Sequence, residues 1–145
     1  MNPSEQYYEV FSFGNSPEMA DELLALVLAG KKTATVSVLL DGEKPPKPGD
    51  LSLVLDGRGK EACVIRTRSV KLLPFSHLTW DMVRLEGEDE SYETWLEGNL
   101  RYWKRDAEER AYSFTESTPV VFEEFELVRL MGTSKNSFNF SRCPL

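Results

Sequence analysis

Apolar residues near the start of the chain recur at helical spacing. Between Pro17 and Gly30 they form one stripe, which consists of Ala20, Leu23, Leu24, Val27 and Leu28. Ser16 followed by Pro17 is typical of a helix start, because a serine caps free N–H groups and proline needs no N–H at the first helical position. Gly30 is typical of a left-handed helix stop. We therefore predict a helix that begins at Pro17, ends before Gly30 and buries its stripe.

The apolar period then changes to two, which indicates a strand over residues 33–40. One face carries Ala34, Val36, Val38 and Leu40, and the other carries Thr33, Thr35, Ser37 and Leu39. Residues 42–50 contain three prolines, Pro45, Pro46 and Pro48, and a strand ladder does not continue through such a segment. We expect a loop there.

The rest of the chain predicts further strands and helices. Residues 51–55 and 62–70 flank the turn residues of 56–59 and indicate a hairpin whose second strand bends near residues 66–68. Residues 79–86 indicate a short helix, a longer one begins near Ser91, and residues 119–128 return to strand composition. The order of elements favours an α+β fold built around an open or closed β-barrel with flanking helices.

The size and composition indicate one domain, residues 1–145, with 131–145 as a loosely docked C-terminal tail. Cys63 and Cys143 cannot form a disulfide framework, and with His77 as the single histidine we expect neither a metal site nor another cofactor. No apolar run reaches the length of a membrane span, and residues 1–10 do not resemble a secretion signal. We expect a cytoplasmic protein that does not bind membranes.

Charge is distributed unevenly. The chain has a net charge of −7, yet residues 31–71 hold nine Lys and Arg against five Asp and Glu, a net +4. The overall charge argues against a general polyanion-binding protein. The local excess is typical of a surface for an anionic ligand, and equally of solvated strand faces that collect Lys and Arg.

Polar groups converge at the helix-to-strand junction, Gly30-Lys31-Lys32-Thr33-Ala34-Thr35. From the residues alone, two readings stay open. Lysines are favourable near a helix C-terminus and threonine is a strand former, so the segment can be purely structural. The same ammonium and hydroxyl groups can also form a reactive site. Strand alternation puts Lys32 and Thr35 on opposite faces, so they meet only if the backbone at Lys32 is irregular or a bulge intervenes.

The chain resembles ASCH domains, a PUA-like barrel family, over about residues 10–128. The resemblance rests on segments that occur in the family's order: residues 13–17, 30–35, 48–50, 56–59, 64–67, 86–88 and 118–121. The family's loose signature is Gly-x-Lys-x-x-Glu-x-Arg, and this chain has Gly30, Lys32, Thr35 and Ser37 at those positions. Serine in place of arginine removes a bidentate cation, so contacts made by that arginine are not carried over.

Threonine at the glutamate position is similar to the ASCH proteins that hydrolyse N4-acetylcytidine. In that branch a Lys, a Thr and a downstream Glu form the catalytic group, and the resemblance implies Lys32, Thr35 and Glu86 here. A threonine hydroxyl needs a base to take its proton, which Lys32 could do only as a neutral amine. Glu86 lies in an acidic run that is, without the resemblance, equally typical of a solvated loop.

The resemblance implies an RNA- or nucleoside-binding domain that is a hydrolase on a modified cytidine. We further predict that Lys31 and Arg66 contact the substrate. A metal-independent ribonuclease, in which Lys31 and Lys32 stabilise charge on phosphate, is an alternative, and a non-catalytic RNA-binding regulator is another. The oligomeric state is not predicted by the sequence.

Overall fold

The structure is a computed structural model, and it describes residues 6–131. Its strands are β1 Glu9–Phe11, β2 Ala34–Val38, β3 Leu51–Leu55, β4 Glu61–Pro74 and β5 Pro119–Leu130. Its helices are α1 Pro17–Leu28, α2 Trp80–Val83 and α3 Tyr92–Arg110, with 3-10 turns at Phe75–His77 and Arg84–Glu86. This confirms the predicted α+β fold. The predicted tail lies almost wholly outside the described residues.

Helix α1 follows the prediction at both ends. The Ser16 hydroxyl accepts a hydrogen bond from the Met19 backbone N–H at 3.1 Å, and Gly30 has a φ of +79°. The predicted stripe is only partly buried. Leu24 and Val27 are buried against the sheet, whereas Leu28 is 45% exposed, so its predicted burial was wrong. Leu28 is the last residue of the helix.

The five strands form one curled sheet, a half-barrel, in the order β1-β3-β4-β5-β2. Strand β1, which the sequence reasoning did not identify, pairs in parallel with β3, and all other pairs are antiparallel. The pairing of β4 with β5 shifts register between Thr67 and Ser69, where the bend was predicted. Strands β1 and β2 are therefore the two edges of the half-barrel.

Two apolar clusters hold the sheet between helices. One lies on the face of Ala34, Val36 and Val38, where the aromatic rings of Phe75, Trp95 and Trp103 pack. The other lies under α1; its buried members are Phe13, Leu24, Val27, Val54, Cys63, Ile65 and Phe125. Cys63 is thus a small core residue of this cluster. Among the residues described, none of the helices combines the length and hydrophobicity that a membrane crossing requires.

Candidate active site

Lys32 is buried, with only 2% of its surface exposed. It lies in the irregular segment between α1 and β2, where its backbone N–H donates to the Leu26 carbonyl at 3.1 Å. In a regular strand, Lys32 and Thr35 would lie on opposite faces. The backbone at Lys32 is irregular, as the sequence analysis required for these two side chains to approach each other. The Lys32 ammonium donates to the carbonyl oxygen of Ala34 at 3.0 Å and lies 5.3 Å from the centre of the Phe13 ring.

Glu86 is the last residue of the 3-10 turn Arg84–Glu86, and its side chain approaches Lys32. Its Oε2 lies 3.7 Å from the Lys32 Nζ and accepts the Val36 backbone N–H at 2.9 Å. Its Oε1 accepts the indole N–H of Trp95 at 2.6 Å. Glu86 is 5% exposed, so it is not part of a solvated loop. Burial raises the pKa of this carboxyl above its ordinary value, while Lys32 and the two N–H donors act in the opposite direction.

Glu88 is a closer partner of Lys32 than Glu86. Its Oε2 accepts a hydrogen bond from the Lys32 ammonium at 2.8 Å. Gly87, between the two glutamates, permits this approach: it has a φ of +75°, and a Cβ there would lie 2.3 Å from the Lys31 carbonyl oxygen. A side chain at position 87 would push both carboxylates away from Lys32.

The position of β2 at the sheet edge explains why these side chains meet there. An edge strand has backbone groups with no neighbouring strand to pair with. Here the Ala34 carbonyl is satisfied by Lys32, and the Val36 N–H by Glu86. The pair therefore covers part of the β2 edge, a structural role that it has whether or not it also takes part in catalysis.

A cavity of about 540 Å³ lies beside the pair and is lined by Lys32, Thr35 and Glu86 together. Thr35 belongs to the opposite face of β2 from Ala34 and Val36 and is half-buried. The three residues proposed as catalytic thus come to one cavity; their catalytic role stays a prediction. Within the described part of the chain, no group of three or more His, Cys, Asp and Glu side chains could hold a metal ion.

The two predicted substrate contacts lie elsewhere. Lys31 is exposed, and Arg66 donates from Nε to the Glu126 carboxylate at 2.9 Å on the exposed part of β4 and β5. Neither residue is among the described residues that line the cavity. Their role in substrate binding stays a prediction.

Sequence reasoning missed Glu88 and Trp95. Glu88 could have been found from its place two residues after Glu86, beyond a glycine that allows a tight turn. Trp95 lies in the helix that was predicted to begin near Ser91; its fully buried indole N–H requires an acceptor, and Glu86 provides it. Packing sets the direction of this N–H, because Phe75 and Tyr92 both stack on Trp95.

The curled half-barrel with three helices is the fold of a PUA-like α+β domain. The model of the ASCH domain matches residues 9–129. The chain therefore belongs to the ASCH domain family. ASCH domains generally are RNA-binding domains of PUA-like fold.

Solved structures agree with this assignment. Protein EF3133 from Enterococcus faecalis V583 is 28% identical with a TM-score of 0.83, over 98% of this chain and 88% of that protein. An ASCH domain from Lactobacillus crispatus JV V101 is also 28% identical, with a TM-score of 0.76, over 85% of this chain and 82% of that one. A ZmASCH mutant protein from Zymomonas mobilis, 9% identical with a TM-score of 0.53 over 94% and 82% of the two chains, shares the fold alone. No match was found among curated protein sequences.

Proposed function

We propose that this ASCH domain binds a modified cytidine nucleoside and hydrolyses its N4-acyl amide, as the N4-acetylcytidine amidohydrolases do. One observation carries the proposal: a buried lysine, held by carboxylates, lines the same cavity as a half-buried threonine. Buried charged groups that converge on a cavity are typical of reactive sites.

The charge of the cavity favours a neutral nucleoside over an RNA polymer. Four carboxylates line it, from Glu22, Glu86, Glu88 and Asp89, against the two cations Lys32 and Arg101. A phosphate chain would meet net negative charge there. A volume of about 540 Å³ lies in the range of small-molecule sites. The cavity therefore favours the amidohydrolase over the ribonuclease.

The proposed chemistry consumes one water. The Thr35 oxygen attacks the acyl carbonyl carbon, the amide C–N bond breaks, and the leaving N4 nitrogen takes a proton, which releases cytidine. Water then hydrolyses the threonine ester and releases acetate. The Lys32 side-chain nitrogen donates hydrogen bonds to Glu88 and to the Ala34 carbonyl. Transfer of one proton to Glu88 would leave the neutral amine that accepts the Thr35 proton. Lys32 would then return that proton to N4.

Purified protein incubated with N4-acetylcytidine tests the proposal by chromatography of cytidine and acetate. We expect turnover by the native chain and none above background for Thr35→Ala. Thr33→Ala is the matched control, because Thr33 is exposed and is not among the described residues that line the cavity. Lys32→Arg should lower turnover at least about 100-fold, since a guanidinium cannot accept the proton.

Thr35→Ala should change the free energy of unfolding by no more than about 0.5 kcal/mol, as for other partly exposed positions. Loss of activity with a stable fold then assigns the hydroxyl to chemistry. A native chain that releases no acetate would contradict the proposal. Shortening of RNA without metal would instead support the ribonuclease, and salt-sensitive RNA binding without turnover the regulator.

A further inference from the structure

A second cavity, of about 480 Å³, lies at the opening of the half-barrel. Its walls come from both edge strands, with Glu9 and Phe11 from β1 and Thr35 and Ser37 from β2, and from Glu123 of β5. Strands β1 and β2 are not paired with each other, and residues 43–46 of the loop after β2 also line the cavity. The Tyr8 hydroxyl donates to the Lys44 carbonyl and holds this loop over the cavity.

Thr35 lines both cavities. Its register partner across β2 and β5 is Glu123, which lines the second cavity. Side chains of directly paired residues lie on the same face, with Cβ atoms about 4.5 to 5.5 Å apart. A ligand atom next to the Thr35 hydroxyl from this side is therefore also within reach of the Glu123 carboxyl group.

Glu123 is held in a defined orientation. The buried Thr67 hydroxyl donates to its Oε2 at 2.6 Å. Burial raises the pKa of Glu123 above its ordinary value, and the nearby Glu9 and Asp50 add to this. Burial likewise raises the pKa of Glu9. Two partly desolvated carboxyl groups in one wall suit a ligand that offers N–H or O–H donors, because such donors replace the lost water.

We propose that the second cavity holds the base of the same nucleoside, and that Glu123 determines specificity by accepting a hydrogen bond from the exocyclic N–H of a cytosine-type ring. This inference rests on the proposed function. The amide that is to be cut then lies at Thr35, where the two cavities meet, with its carbonyl directed towards Lys32. Tyr8 and Phe11 supply aromatic surface beside the base.

The chemistry predicts selection against uracil. Cytosine presents an amino group where uracil presents a carbonyl oxygen, and an oxygen there would face the Glu123 carboxylate without a proton between them. A site built to receive an N–H group rejects an analogue that lacks it. Of the two cations that line this cavity, Lys44 and Arg110, the second is already paired with Glu43 at 3.4 Å.

Titration calorimetry with cytidine and uridine tests the specificity role without requiring turnover. We expect the native chain to bind cytidine at least tenfold more tightly than uridine. Glu123→Gln should bring the two affinities to within about threefold, since a glutamine amide can donate to the uracil oxygen. Glu126→Gln is the matched control on the same strand: Glu126 pairs with Arg66 and is not among the described residues that line either cavity.

A second variant tests the cavity itself. Ser37→Leu adds bulk at an exposed position in the wall of the second cavity and leaves the described lining of the first unchanged. We expect at least a tenfold loss of cytidine affinity, whereas Thr33→Leu should retain it. Circular dichroism spectra and melting curves of each variant would show that the fold is intact.

Three outcomes overturn the inference. They are a native chain that binds uridine as well as cytidine or binds neither, a Glu123→Gln variant that keeps the native preference for cytidine, and a Ser37→Leu variant with unchanged cytidine affinity. The proposed function fails separately. If cytidine binding depends on Ser37 and Glu123 but N4-acetylcytidine is never cleaved, the proposed base site is supported and the proposed hydrolase activity is contradicted. If the Ser37→Leu variant cleaves N4-acetylcytidine with the native KM, the proposed hydrolase activity is supported and the proposed base site is contradicted.

Discussion

At the scale of single residues, Lys32 shows how a buried charge is stabilised. Its ammonium has three oxygen neighbours within 3.7 Å, from Glu86, Glu88 and Ala34. Removing one partner of a buried ion pair leaves the other charge uncompensated, which typically costs about 3 to 5 kcal/mol. Loss of activity in a Glu86 variant would therefore mix catalysis with stability, and Thr35 is the better residue for testing the chemistry.

The raised pKa of Glu123 predicts how the free energy of unfolding depends on pH. A carboxyl group with a raised pKa binds its proton more tightly in the folded than in the unfolded chain. Its stabilising contribution is complete below its ordinary pKa of 4.5 and is lost as pH rises through the folded value. We expect the free energy of unfolding in urea to fall as the pH rises above 4.5, and Glu123→Gln to reduce that fall.

Glu9 and Glu86, whose pKa values burial also raises, should keep part of the dependence in that variant. Glu126→Gln serves as the more exposed control and should follow the native curve. A Glu123→Gln curve parallel to the native one would show that Glu123 loses no more solvation than an ordinary surface carboxylate.

At the scale of elements, the two ends of the α1 stripe provide a matched pair. Leu24 is 8% exposed and packs in the cluster under α1, whereas Leu28 is 45% exposed. We expect Leu24→Ala to lower the free energy of unfolding by about 2 to 5 kcal/mol, and Leu28→Ala to lower it by about 0.5 kcal/mol or less. Equal losses in urea denaturation would mean that Leu28 is covered, for example by a second copy of the chain.

At the scale of the whole molecule, carboxylates already neutralise two of the nine cations of residues 31–71. Lys32 is buried among carboxylates, and Arg66 pairs with Glu126. We therefore expect RNA affinity to fall by less than about tenfold between 50 and 200 mM salt, as for one or two phosphate contacts. Cytidine affinity should not change, because the nucleoside carries no charge. Binding of a short single-stranded RNA in titrations at both salt concentrations measures this.

A loss of RNA affinity of about a thousandfold over that range would indicate six or more phosphate contacts. It would place the main ligand surface outside the two cavities. RNA affinity that does not change at all would exclude a phosphate role for Lys31 and Arg66.

The sequence alone determined the local elements, since their signals lie within a few residues of one another. The Ser16 cap, the Gly30 stop, the alternation of β2 and the bend of β4 were all predicted, because periodicity and turn chemistry are local. The short strand β1 was not identified, since three residues carry too little pattern and parallel pairing with β3 is a long-range contact.

Tertiary structure decided the sites. Residues 32 and 86 are far apart in sequence, and family position alone linked them; the preference of Lys32 for Glu88, the Trp95 hydrogen bond and the two cavities that meet at Thr35 were not visible in any pattern. Each depends on the direction of a side chain after packing. Periodicity specifies which face of an element is apolar, but the partner of a buried polar group is whichever group the assembled fold brings within hydrogen-bonding distance.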